Sequence, residues 1–238
     1  MRFFLDTCDI DAIQHYADLG LIEGVTSNWA LAEKTGTTVG LFLRRLIDCE
    51  FDRKLEVSFQ PKTTGHKYAE GTLALYDLYK DRNEHIELVP KVPVYGVYIK
   101  AGFEIATKAP INATMVLEPW QVEVANKMGA KYVSLFVSRI LNQYIDTEKA
   151  EQAVDALVDL KKGCNVIFAS LKTTDQVNAL IRNYGWYAAT EELVLTIPPA
   201  VLEQMIQSPS VGQIFADWRN PPRQRNLLKQ IRAYLAEF

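Results

Sequence analysis

Leu88-Val89-Pro90-Lys91-Val92-Pro93-Val94 is an apolar run broken by a single cation. An unbroken run, rather than apolar–polar alternation, suits a strand covered on both faces, as in a parallel sheet. Seven further short runs of apolar or β-branched residues lie outward from it: Arg2–Thr7, Gly24–Asn28, Leu55–Gln60, Ile111–Leu117, Tyr132–Val137, Asn165–Leu171 and Leu193–Pro198, with the central run itself extending over Ile86–Val94. Between them the apolar spacing turns helical. Ile10, Ile13, Ala17 and Leu19 follow an acidic cap at Asp9; Ala69, Leu73, Tyr76 and Leu78 mark another stretch. Val154, Leu157, Val158 and Leu160 mark a third, and Val177, Leu180 and Ile181 a fourth. Thr173-Thr174-Asp175-Gln176 reads as a capping box, and Gly20, Gly129 and Gly185 read as helix ends.

Strand and helix alternating eight times predict an α/β fold, a (β/α)8 TIM barrel in one domain over 1–238. A doubly wound open sheet is the alternative, but no GxGxxG opens any strand–helix turn. Asn220-Pro221-Pro222 breaks the chain before a last helix, Arg223–Leu235, so that 219–238 forms a helical extension.

The 238 residues are 48% hydrophobic and 23% charged, with a formal net charge of -3. That balance gives no reason to expect a nucleic acid or an anionic membrane as partner. Cys8, Cys49 and Cys164 form neither a CxxC pair nor a metal-ligand pattern, and the three histidines, His15, His66 and His85, offer no metal site. The first apolar residues meet Asp6 too early for a signal-peptide core, and no run reaches the ~18 residues of a membrane span. A cytoplasmic, soluble protein is the expectation.

Lys91 carries the chemistry. A cation among apolar neighbours is disfavoured unless it is paired or neutral, and a neutral amine is a nucleophile toward carbonyls. A lysine pointing outward, snorkelling or held in an ion pair is the plainer reading of this residue alone. In a barrel, however, the C-terminal ends of the strands converge on one mouth. Those ends carry Asp6-Thr7, Thr26-Ser27-Asn28, Gln60, Lys91, Asn112 with Thr114, Phe136-Val137-Ser138-Arg139, and Ser170-Leu171-Lys172. An amine, a carboxylate, amides, hydroxyls and two further cations thus surround one pocket. Attack on a ketone gives an iminium, an electron sink that lets the neighbouring carbon–carbon bond break once a base takes the hydroxyl proton. Acting near neutrality requires the lysine pKa to fall from ~10.4 toward ~7–8, or ~4 kcal/mol, which burial plus the field of Arg139 and Lys172 would supply.

Leu5-Asp6-Thr7, Gly24-Val25-Thr26-Ser27-Asn28, Lys91-Val92-Pro93-Val94, Asn112-Ala113-Thr114, Phe136-Val137-Ser138-Arg139 and Ala169-Ser170-Leu171-Lys172 together resemble the transaldolase/fructose-6-phosphate aldolase family, in its short-chain form. The resemblance implies a Schiff-base lysine at Lys91 and cofactor-free chemistry. It further implies that Asp6 handles the C4-hydroxyl proton, that Thr114 and Gln60 hold a shuttling water, and that Asn28 and Asn112 bind substrate hydroxyls. Arg139, Ser170 and Lys172 match phosphate-binding positions, so sugar phosphates are the implied substrates; a homo-oligomer is implied as well.

Three positions depart from the pattern. Trp29-Ala30 follows Asn28 where the family usually has proline and serine. Gln60 resembles the aldolases rather than the transaldolases. Phe136 resembles the transaldolases, for a phenyl ring cannot protonate the enamine as a tyrosine phenol can. Weighing the chemistry of Phe136 above the match at Gln60 makes transaldolase the expectation, a dihydroxyacetone unit passing between sugar phosphates. The alternatives are a fructose-6-phosphate aldolase releasing free dihydroxyacetone, or a sugar-phosphate-binding relative without turnover. Glu118-Pro119-Trp120 is a candidate for the rim of the mouth.

Overall fold

The computed structural model describes residues 1–144, 146–185 and 192–207. Eight parallel strands close on themselves in chain order: β1 (Arg2–Asp6), β2 (Gly24–Thr26), β3 (Leu55–Phe59), β4 (Ile86–Pro93), β5 (Asn112–Val116), β6 (Tyr132–Phe136), β7 (Asn165–Ala169) and β8 (Leu193–Ile197), with β8 pairing back to β1. The barrel expectation holds, and the strands sit within one or two residues of the predicted runs. Helices separate the strands: α1 (Ile10–Asp18), α2 (Trp29–Lys34) with α3 (Val39–Ile47), α4 (Tyr68–Tyr79), α5 (Tyr98–Ala106), α6 (Pro119–Met128), α7 (Val137–Leu141) with α8 (Thr147–Asp159), and α9 (Thr174–Tyr184). Two compact units divide the chain, Met1–Pro199 and Ala200–Phe238. The first holds the barrel; helix α10 (Pro199–Ile206) leads into the second. The helix expected over Arg223–Leu235, like Trp186 and Trp218, lies outside the described residues.

Alternation within each strand decides what enters the barrel. Phe4, Val89, Tyr132, Ile167, Ala169 and Val194 form an apolar plug, and Phe136 packs on it. Gly24 on β2 faces this plug. A Cβ there would lie 2.5 Å from the Glu56 carbonyl oxygen and 2.7 Å from the Phe4 ring, so only glycine lets β2 approach so closely. Gly24→Ala is expected to cost about 3 kcal/mol through this overpacking, read as a fall in the urea midpoint without change of slope.

Beneath the plug, at the N-terminal ends of the strands, Glu56 accepts hydrogen bonds from Arg2 and from the Tyr132 hydroxyl (2.6 Å) and pairs with Lys131 at 2.7 Å; Lys131 also pairs with Glu87. Burial works to raise the Glu56 pKa, but hydrogen bonds from Lys131, Tyr132 and Arg2 outweigh it and hold the carboxyl below its ordinary value. The unfolded chain therefore binds this proton first. Stability from Glu56 is complete above the ordinary carboxylate pKa of ~4.3 and is lost as pH falls from there through the lowered value. Acid titration of Glu56→Gln by circular dichroism is expected to show a shallower loss of stability below pH ~4.

One helix-end expectation needs correction. Thr173 caps α9 by accepting from Gln176 N at 3.3 Å, but the Gln176 side chain accepts from Lys172 N (2.8 Å) and Ser138 Oγ (3.0 Å) instead of completing a box. The box is at α6, between Glu118 and Gln121. Glycine ends the helices at all three expected places: Gly20 and Gly129 with φ of 71° and 66°, and Gly185 as the C-cap of α9 in a right-handed conformation, φ -61°.

Candidate active site

A cavity of about 300 Å³ opens at the C-terminal mouth of the barrel. Its walls include Asp6, Asn28, Lys91, Phe136, Arg139, Ser170 and Lys172, all singled out in the sequence, together with Thr26, Lys34, Ser134 and Thr196.

Lys91 is 7% exposed on β4. Its backbone is pinned where Tyr68, fully buried on α4, donates its hydroxyl to the Lys91 carbonyl at 2.6 Å. Burial pushes the Lys91 amine below its ordinary pKa, and the negative field of Asp6 opposes that shift without cancelling it. Desolvation, not the field of Arg139 and Lys172, is thus the cause of the lowered value. Cys8 is no competing nucleophile: burial pushes its thiol up to about 12, so it stays protonated.

Asp6 ends β1. A strand-end acid can also serve as a turn or helix cap, but here its neighbours do so: Asp9 Oδ1 accepts from Ala12 N (3.2 Å) and Thr7 Oγ1 from Asp9 N (3.1 Å). The Asp6 carboxylate instead accepts from Thr26 Oγ1 at 2.7 Å and faces the cavity. Asn28 serves twice. Its side-chain oxygen caps α2 by accepting from Leu31 N at 3.0 Å, and the same residue lines the cavity.

On the opposite wall, strand β6 ends at Phe136 and not at Arg139; Val137–Leu141 is the short helix α7. The Arg139 guanidinium carbon lies 5.3 Å from the Phe136 ring centroid, a cation–π contact that holds the charge at the rim. Gln176 ties this helix to the β7–α9 turn through its bonds to Ser138 Oγ and Lys172 N, which sets Arg139 and Lys172 on a common frame. Ser170 follows β7 with φ 62°, a left-handed conformation that costs about 1–3 kcal/mol in a residue other than glycine. Arg139, Lys172 and Ser170 thus bring two cations and a hydroxyl to one side of the cavity.

Three predicted residues lie apart from the cavity lining. Asn112 is wholly buried next to Lys91 in strand register, donating to Ser58 Oγ (3.1 Å) and accepting from Ser134 Oγ (2.7 Å). Thr114 precedes a bulge at Met115 (φ 63°), and its buried hydroxyl has no hydrogen-bond partner. Gln60 is half-buried just beyond β3. Trp29 lies under the Lys62 ammonium at 5.5 Å and lines a separate small pocket, and Trp120 is exposed.

Sequence reasoning passed over Ser134, Thr196, Lys34 and Gln121. The first two carry a signal, since counting back by twos from Phe136 reaches Ser134 and Thr196 is the one polar residue of β8. Gln121 is legible only in three dimensions. It donates to Val94 O (2.8 Å) and Met115 O (3.1 Å) and accepts from Leu117 N and Glu118 N, clamping the bulge next to Thr114. Among the described residues no cluster of three or more His, Cys, Asp or Glu is placed to hold a metal, and no helix is long and apolar enough to cross a membrane.

The family model described as "Transaldolase/Fructose-6-phosphate aldolase" matches residues 3–237. The chain belongs to this family. Among its relatives, the probable transaldolase of Nitrosopumilus maritimus is 28% identical over 230 residues, spanning 92% of this chain and 95% of that protein. The probable transaldolase of Symbiobacterium thermophilum is 27% identical over 227 residues, spanning 92% and 97%. The crystal structure of the YdjI aldolase from Escherichia coli K12 covers 82% of this chain and 74% of its own, with a TM-score of 0.53 at 8% identity, a likeness of fold alone. Family membership makes this an enzyme of the aldolase/transaldolase type and agrees with the resemblance carried by the strand-end motifs.

Proposed function

We propose that the protein is a transaldolase, moving a dihydroxyacetone unit from a ketose phosphate to an aldose phosphate through an iminium on Lys91. The observation that carries this reading is the buried amine of lowered pKa, in one cavity with Asp6 and facing the wall of Arg139, Ser170 and Lys172. The uncharged Nζ attacks C2 of the donor, fructose 6-phosphate or sedoheptulose 7-phosphate, and the carbinolamine loses water to give the iminium. Asp6 takes the proton of the C4 hydroxyl. The C3–C4 bond breaks, its electron pair moves into the iminium to leave an enamine, and C4 departs as the aldehyde carbon of an aldose phosphate. C3 of the enamine then attacks the acceptor aldehyde, whose oxygen recovers the proton from Asp6, and water releases the new ketose. Arg139 and Lys172 hold the phosphate of the partner sugar, so binding energy far from the reacting carbons orients C2 against Nζ.

Fate of the enamine separates transfer from simple cleavage. Among the described residues no tyrosine lines the cavity, and Phe136 has no proton to give, which supports an enamine long-lived enough to meet an acceptor. Gln60 favours the rival fructose-6-phosphate aldolase. The two are divided by feeding fructose 6-phosphate with and without erythrose 4-phosphate. Turnover that depends on the acceptor is expected; equal release of free dihydroxyacetone in both would overturn the transferase reading. Phe136→Tyr is expected to raise acceptor-independent release by ~10-fold or more, measured as free dihydroxyacetone.

A further inference from the structure

Asp6 is the end of a chain of hydroxyls. Thr26 Oγ1 lies 2.7 Å from Asp6 Oδ1 and 2.6 Å from Thr196 Oγ1, and the two threonines are 1% and 2% exposed. They stand on β2 and β8, the two strands that flank β1 in the barrel. Counting protons gives the chain a direction. An ionised carboxylate only accepts, and each hydroxyl has one proton to give. Thr26 spends its proton on Asp6, so the contact between the hydroxyls requires Thr196 to donate to Thr26.

Composition of β8 adds weight. Leu193, Val194, Leu195 and Ile197 are apolar and buried, and a valine in place of Thr196 would fill nearly the same volume without a hydroxyl to desolvate. A buried hydroxyl at that point is disfavoured unless its hydrogen bond is used.

We propose that Thr196 is a positioning residue for Asp6 and acts through Thr26. A Thr26 hydroxyl that receives a proton from Thr196 is a stronger donor to the carboxylate than an isolated one. Oδ1 is thereby committed to Thr26, and Oδ2 is the oxygen left to take the C4-hydroxyl proton. A strand beside β1 in the barrel thus sets the geometry of the acid–base group. This inference rests on the reading of Asp6 as that group in the transaldolase reaction.

The test uses the full chain with fructose 6-phosphate and erythrose 4-phosphate. Thr196→Val is expected to keep the borohydride-trapped adduct on Lys91 at parental yield and KM within about twofold, and to lower kcat ~10-fold, the loss of one hydrogen-bond link to a charged group. Thr196→Ser, which restores the proton but not the methyl group, is expected to recover kcat to within about threefold of the parent. Thr26→Val supplies an independent check: it should lower kcat at least as far, and the double variant should be no worse than Thr26→Val alone, because Thr196 has no other route to Asp6. Parental kcat in Thr196→Val, a serine variant as impaired as the valine one, or additive losses in the double variant would overturn the inference. A parent chain that forms no adduct would instead overturn the Schiff-base reading on which it stands.

Discussion

Lys91→Met is expected to reduce kcat by ~10⁴-fold or more and to abolish the borohydride-trapped adduct with fructose 6-phosphate. The reason is chemical: Cys8 is buried and protonated, and methionine fills the volume of the lysine stem without a nucleophile. The same substitution should leave the protein at least as stable as the parent. In the unfolded chain the amine keeps its proton up to ~10.4, whereas burial makes the folded protein release it earlier. Between those two values the unfolded state binds more protons, so parental stability rises with pH across that window, and the cost of the buried cation is fully present below it. Lys91→Met removes the cost and the slope together, which thermal melts at a series of pH values will show. Activity should follow the same titration, rising with pH to a plateau reached below the ordinary lysine range. An adduct that survives in Lys91→Met, or a rate that rises only above pH ~10, would sink the assignment.

Asp6→Asn is expected to separate the two halves of the reaction. Asparagine keeps an oxygen to accept from Thr26 and keeps the shape of the site, but it cannot take up the C4-hydroxyl proton. The iminium should still form, so trapping with borohydride persists, while kcat falls by ~10²–10⁴-fold, the usual range for loss of a general acid–base group. Rapid-quench measurement of aldose phosphate release in a single turnover checks this directly. If adduct formation fell in step with cleavage, Asp6 would belong to Schiff-base formation rather than to bond breaking.

The two substitutions probe residues that were legible for different reasons. Lys91 stands out because a cation in Leu88–Val94 contradicts its apolar neighbours, and such a conflict between local composition and burial marks a functional position. Asp6 is an ordinary strand-end acid in the sequence, ambiguous with a turn or a helix cap. It is set apart only when Asp9 and Thr7 are seen to take the capping bonds and Thr26 to take the carboxylate. Arg139 shows the opposite error, being read as the end of a strand although β6 stops at Phe136 and the residue rides on α7. A helix of five residues carries too few turns to register a 3.6-residue period, so the apolar run conceals it.

Sequence alone determined the barrel, because unbroken apolar strands alternating with amphipathic helices can bury both faces of each strand only in a parallel sheet wrapped by helices. It also determined which chemistry is available, by placing an amine, a carboxylate and two cations at strand ends. Tertiary structure decided which groups share a cavity and how their charges are tuned. Lys91 loses its proton readily because the surrounding barrel excludes water from it, and the bond from Tyr68, the clamp of Gln121 and the Thr196–Thr26–Asp6 chain join residues from 3 to 170 positions apart. Hydrogen-bond direction and desolvation are properties of neighbours in space, and a one-dimensional pattern carries neither.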